Sequence, residues 1–185
     1  MILSLPQTYL AGLSILLLVI AILVGRQLYK VRRDELKLIR LEKEDSNTKE
    51  DSAKMYELAS VQLKKRLYPQ ATSTLKQALK KIDGEPDEAK ALIENALGFA
   101  LAAQNDFKSA IIHYKKALIA KADYPVALNN LGFAYQRLLK ENEAYKNYQE
   151  VLKLDPNNKT AISQAKRLER IIGKGKDKLI EKKGF

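Results

Sequence analysis

Hydrophobic and polar positions follow three different patterns along this chain. From Met1 to Gly25 no side chain is charged, and Leu10–Val24 reads LAGLSILLLVIAILV, with Ser14 its one hydroxyl. About 20 residues are then available to cross roughly 30 Å of hydrocarbon at about 1.5 Å per helical residue. Eleven Leu, Ile or Val side chains lie between Leu10 and Val24, favouring insertion by roughly 5 kcal/mol. A cleavable signal would open on basic residues and close on small ones. Here nothing basic precedes the run, which ends Ile22-Leu23-Val24-Gly25-Arg26. The pattern predicts an uncleaved transmembrane anchor over 1–25. Arg26, Lys30, Arg32 and Arg33 follow it, and by the positive-inside rule they keep the rest of the chain in the cytoplasm or stroma.

The second pattern is a charged neck and linker over 26–51. Residues 26–44 are rich in Arg, Lys, Glu and Leu, and extend the membrane helix. Asp45–Ser52 has no apolar stripe and reads as a linker or helix break. Val31, Leu38 and Leu41 are too few to define a coiled coil.

From Ser52 onward the pattern repeats. Leu97-Gly98-Phe99-Ala100 returns as Leu131-Gly132-Phe133-Ala134, 34 residues later, and Ala110 and Tyr114 return at Ala144 and Tyr148. Leu58-Ala59, Tyr68, Ala71, Leu75 and Ala78 occupy the same pattern 39 residues upstream, with five residues inserted around Asp83–Pro86. A small residue in each first helix (Ala59, Gly98, Gly132) and one in each second helix (Ala71, Ala110, Ala144) permit close approach. The large residue four positions after each Ala (Leu75, Tyr114, Tyr148) fills the space against the next pair. Period and pattern resemble the tetratricopeptide repeat, two antiparallel helices per unit. The usual first-helix aromatic is replaced by Met55, Glu94 and Leu128, and Glu141 stands where Tyr68 and Phe107 stand in the other units. The expected fold is all-α: a transmembrane helix, then three repeats over 52–158 (52–85, 91–124 and 125–158). A capping helix over 159–172 and a basic tail over 173–185 complete it.

Composition argues against redox and transition-metal enzymology. The 185 residues include no Cys and one His, so thiol nucleophiles, disulfides, Cys-ligated metal centres and His-pair metal sites are excluded. No G-x-S-x-G, H-E-x-x-H or P-loop is present, and Gly173–Lys176 lacks the upstream glycine a P-loop needs. His113, next to Tyr114, reads as a surface or packing residue. No catalytic, cofactor-binding or metal-binding residue is assigned, and no enzyme activity is expected. The 33 Lys and Arg exceed the 22 Asp and Glu by 11, and residues 157–185 carry nine Lys or Arg and three acids. A tail near a bilayer suits anionic lipid. No aromatic-interleaved basic motif points to nucleic acid.

The expected functional surface is the groove formed by first helices. Counting from the repeated Leu-Gly pair places Tyr56, Ser60, Asn95, Phe99, Asn129, Phe133, Gln136 and Arg137 on it, with Arg167 from the cap. Phe99 and Phe133 either form an aromatic ladder between amides that hold a peptide backbone, or pack between helices. The two-carboxylate clamp of chaperone-binding relatives is not matched. Tyr56 and Ser60 stand where Lys and Asn are needed, Thr160 and Gln164 replace the later basic pair, and only Asn130 fits.

Nearly the whole chain resembles the small tetratricopeptide photosystem I assembly proteins of cyanobacteria and algal plastids. The resemblance lies in Tyr9–Gly25 with no charge before it and the Arg32-Arg33 neck. Two further runs carry it, Ala127-Leu-Asn-Asn-Leu-Gly-Phe-Ala-Tyr135 and Leu154-Asp-Pro-Asn-Asn-Lys-Thr-Ala161. It implies a non-enzymatic assembly factor without a cofactor in the thylakoid membrane. Its repeats would face the stroma or cytoplasm and engage photosystem I subunits or assembly intermediates. Two other classes join an anchor to helical repeats. One is a membrane receptor for precursor proteins, and the other is an envelope assembly scaffold of a non-photosynthetic bacterium.

Overall fold

The computed structural model describes residues 5–45 and 51–183, with side chains over 9–41 and 51–173. Eight helices account for it: α1 (Leu5–Asp45), α2 (Ser52–Lys64), α3 (Tyr68–Lys80), α4 (Asp87–Ala103), α5 (Phe107–Ala120), α6 (Pro125–Arg137), α7 (Glu141–Leu154) and α8 (Lys159–Lys183). Among the described residues there is no strand. Most of the expected linker, residues 46–50, lies outside the described residues, as do the last two residues of the expected tail. The chain divides into two compact units, Met1–Asn47 and Thr48–Phe185.

The first unit is α1. Pro6 sits in its first turn, where a missing N–H costs nothing. Leu13, Leu16, Leu17, Ile20 and Val24 are exposed, and so are Ile15, Leu18 and Ile22 on other faces. The amino-terminal half of the helix is therefore apolar all round and buries none of that surface against protein. It is long and apolar enough to cross a membrane. Arg26, Lys30 and Arg33 follow at helical spacing on one face, and with Leu23 and Tyr29 they line a shallow concavity.

The second unit consists of helix pairs α2–α3, α4–α5 and α6–α7, closed by α8. Each pair turns through three residues whose middle member is left-handed: Arg66 (φ 61°), Asn105 (φ 65°) and Leu139 (φ 57°). The next amide then reaches five residues back. Leu67 N–H donates to the Gln62 carbonyl at 2.9 Å, Asp106 N–H to Leu101 at 3.0 Å, and Lys140 N–H to Tyr135 at 2.9 Å. These bonds satisfy carbonyls that a helix end otherwise leaves open. Asp106 also caps α5 by accepting from Ser109 N–H at 3.1 Å. That hydrogen bonding with Ser109 holds its carboxyl below the usual range.

The five inserted residues are absorbed in two places. The α3–α4 connection, with Gly84 at φ 85°, is longer than the later ones, and α4 has 17 residues where α2 and α6 have 13. At the other end, α8 continues as one helix to Lys183, through most of the segment assigned by sequence to a tail beyond the cap.

There is no single core. Three clusters each unite a second helix with its flanking first helices. The first joins Met55 and Ala59 to Ala71 and Leu75 and to Ile93 and Leu97. The second joins Phe107, Ala110 and Tyr114 to Leu131 and Ala134. The third joins Leu128 to Ala144, Tyr148 and Val151 and to Ala161, Ala165 and Leu168. Every cluster is local, as in an array stabilised by neighbouring interfaces. The two large rings also pack within their own repeat. A Cβ on Gly98 would lie 2.7 Å from Cδ1 and Cε1 of Tyr114, and one on Gly132 would lie 3.0 Å from Cζ of Tyr148. Glycine there lets a ring lie against the helix backbone.

Candidate functional site

First helices of successive pairs meet directly, α2 with α4 and α4 with α6, so equivalent positions on them form rows. One row is Tyr56, Asn95, Asn129 and Ser163, and the next is Ser60, Phe99, Phe133 and Arg167. A helical turn either side lie the rows Ala53, Leu92, Val126, Thr160 and Lys64, Ala103, Arg137, Ile171.

The amides in these rows are engaged within the fold. Asn130 donates from Nδ2 to Asn95 Oδ1 at 3.0 Å, and Asn95 Nδ2 donates to the Tyr124 hydroxyl at 3.3 Å. Gln136 Nε2 donates to Gln164 Oε1 at 3.1 Å, while its own Oε1 accepts from the Tyr148 hydroxyl at 2.8 Å. Asn129 Nδ2 reaches Asn158 Oδ1 at 3.4 Å, and its Oδ1 is buried without a hydrogen-bond partner. Burial pushes the Tyr148 hydroxyl up to about 12, opposed by the charge of Arg167. Burial likewise raises Tyr124, with Tyr56 adding to it. Both phenols therefore remain protonated hydrogen-bonding groups at neutral pH. Asn95 thus ties α4 to α6, and Gln136 ties α6 to α7 and to the capping helix α8, so both amides are cross-links within the fold. Asn130, the one residue matching the chaperone clamp, is spent in the same way.

The rings behave differently. Phe99 and Phe133 are 45% and 46% exposed, so neither is a core residue. Phe133 meets Phe107 edge-on, with centroids 6.3 Å apart and planes at 74°. Arg137 lies over both, its guanidinium carbon 4.6 Å from the Phe107 centroid and 5.9 Å from that of Phe133. Leu92 and Val126 are also exposed, seven residues before the two Phe on the same helix faces. Sequence counting left these two out, although their 34-residue spacing repeats that of the Phe pair.

In the first repeat, Tyr56 is half-buried against the first core cluster. The Ser60 hydroxyl donates back to the Tyr56 carbonyl at 2.7 Å. Arg167 is exposed on α8. Within the second unit the exposed large aromatic side chains are thus those of α4 and α6, with cations from α6 and α8.

His113 and Glu94 stand apart from these rows. Glu94, at the position usually aromatic, is 4% exposed, and its Oε2 is 2.6 Å from His113 Nδ1. The pair ties α5 to α4 within one repeat. Among the described residues no group of three or more His, Cys, Asp or Glu could hold a metal.

Comparison with known proteins agrees with this construction. The tetratricopeptide repeat model matches residues 125–158, the third pair. The solved first tetratricopeptide domain of Spaghetti (RPAP3), bound to an HSP90 peptide, superposes with a TM-score of 0.61 at 22% identity. It covers 66% of this chain and 94% of that domain. The fold and its repeated contacts define a tetratricopeptide-repeat protein, a class of protein-interaction scaffold.

The protein named ycf37 of Guillardia theta is 32% identical over 160 residues, 86% of this chain and 90% of its own length. The chain belongs to the ycf37 family. The chloroplastic tetratricopeptide repeat domain-containing protein PYG7 of Arabidopsis thaliana is 33% identical over 159 residues. This chain spans about half of that longer protein, 52% of its length.

Proposed function

We propose that this protein is a membrane-anchored assembly factor for photosystem I, and that it holds protein clients in the groove of repeats 2 and 3. The observation that carries the groove assignment is the pair Phe99 and Phe133, half-exposed at equivalent positions of adjacent first helices. Large rings left in water on a scaffold fold are a contact surface awaiting a partner. Photosystem I enters through the family resemblance of the anchor, neck and repeats, and a chloroplastic relative fits a photosynthetic setting.

Anchoring is supported by α1, whose apolar half offers no face to water that is not hydrocarbon. Arg26, Lys30, Arg32 and Arg33 favour a single span, with the repeats in the stroma or cytoplasm. Tethering restricts the groove to a layer near the thylakoid membrane, which raises its effective concentration toward membrane-inserted subunits. Clients are photosystem I subunits or intermediates, held transiently. The basic carboxy-terminal segment contributes contact with anionic lipid.

A receptor for precursor proteins is the second reading, because exposed Leu92, Val126, Phe99 and Phe133 would suit an amphipathic helix. Arg137 and Arg167 oppose it, since amphipathic targeting segments are themselves Arg-rich. Photo-crosslinking from position 133 in native membranes, with mass spectrometry of the adducts, separates the two. Photosystem I subunits among the adducts are expected. Adducts dominated by precursor proteins or envelope components would contradict the assembly role.

A further inference from the structure

We propose that the client segment is acidic as well as apolar and that Arg137 is its carboxylate receptor, a step that rests on the groove being the client surface. The guanidinium sits 4.6 Å from the Phe107 centroid and 5.9 Å from that of Phe133. The side chain is nonetheless exposed, so a cation held over the rings still has N–H groups to offer a bidentate acceptor. Among the described residues no carboxylate pairs with it. A guanidinium already held by two rings surrenders less side-chain freedom on binding than one waving in water.

Charge in the surrounding rows points the same way. The four rows through Ala53, Tyr56, Ser60 and Lys64 contain no Asp or Glu across α2, α4, α6 and α8, and their charged members are Lys64, Arg137 and Arg167. On α4, α6 and α8 a ligand lying along these rows meets Arg137 and Arg167 and no acid. The exposed acid Glu57 lies beside Tyr56 on α2. Around Phe133 an acidic segment therefore gains from charge where a basic or neutral one does not. The acid Glu94 is turned away, buried against His113. Phe133 and Arg137 are one helical turn apart. A client that places an apolar side chain on Phe133 therefore needs its Asp or Glu within about four residues of that side chain to reach Arg137. The occupant is thus a short segment with an apolar anchor and a nearby carboxylate.

The test uses the full chain in detergent micelles and a positional-scanning library of ten-residue peptides, each with one fixed Leu or Phe. Wild type is expected to enrich Asp or Glu over Asn or Gln by about tenfold within four residues of the fixed side chain. Arg137→Gln should abolish that preference. Replacing the selected Asp by Asn in the peptide should weaken binding to wild type about tenfold, a result independent of how any variant folds. Equal selection of acids and amides, or an acid preference that survives Arg137→Gln, would overturn the carboxylate assignment while the groove stands. Phosphoserine chosen with Glu rejected would overturn it as well. If wild type and the Phe99→Ala/Phe133→Ala variant show the same indifference to apolar side chains, the groove falls, and the acid preference with it.

Discussion

The first repeat and the two that follow it close their helix pairs with different side chains. Ala59 and Leu75 share the first cluster, at positions equivalent to Gly98 with Tyr114 and Gly132 with Tyr148. Leucine tolerates a methyl group opposite it. A tyrosine ring pressed on the backbone does not, since an added Cβ would come within 2.7 Å of Tyr114 and 3.0 Å of Tyr148. The small residue and its large partner are therefore one variable. The tyrosine repeats gain a hydroxyl too, and that of Tyr148 reaches Gln136, itself bonded to Gln164 of the cap. The same two repeats carry the exposed Phe pair, whereas the first has Ser60 in that row. On the proposed function, repeat 1 is a supporting end and repeats 2 and 3 carry the client surface.

The sharpest way to break this contrast is Gly98→Ala. Overpacking against Tyr114 should cost about 3 kcal/mol, measured by chemical denaturation of the full chain in detergent. Gly132→Ala should cost less than Gly98→Ala, because its contact is looser and the helix gains from replacing glycine. A similar loss for Ala59→Ser as for Gly98→Ala would show that the contrast has no energetic content.

The converse experiment rebuilds repeat 1 in the image of the others. Leu75→Tyr alone should destabilise by about 1–3 kcal/mol, with Ala59→Gly recovering part of it. The two should couple by more than about 0.5 kcal/mol in a double-mutant cycle, and additivity would contradict the one-variable account. Tyr148→Phe comes next at about 1 kcal/mol, because it strips a donor from the Gln136 oxygen. The smallest effect is a gain. Leu139 is 79% exposed with φ 57°, so Leu139→Asn should stabilise by about 0.5–1 kcal/mol. Asn105 already holds the equivalent turn in repeat 2, and the reverse change, Asn105→Leu, should lose a similar amount.

The repeats were legible because a 34-residue period fixes helix order, the small-residue contacts and the rows on first helices. Counting alone put Phe99, Phe133 and Arg137 on the first-helix face where the structure leaves them exposed. The roles of Asn95 and Gln136 were not, because an amide on a helix face reads the same whether it waits for a ligand or bonds to the next helix. Leu92 and Val126 were passed over because an aliphatic residue in an amphipathic helix usually faces a core. The stack of Arg137 on Phe107 crosses from α6 to α5, a contact between second and first helices of neighbouring units that no period within the sequence expresses. The left-handed turns at Arg66 and Leu139 were hidden as well, since neither residue type signals positive φ.

The central claim is that Phe99 and Phe133 form the client surface of a photosystem I assembly factor. The direct measurement is photosystem I abundance, relative to photosystem II, in photosynthetic cells whose own copy carries Phe99→Ala and Phe133→Ala. Protein level and denaturation midpoint of the variant are checked alongside. Both rings are half in water, so the variant should fold and accumulate while photosystem I falls several-fold. Unchanged photosystem I with a folded, abundant double variant would contradict the account.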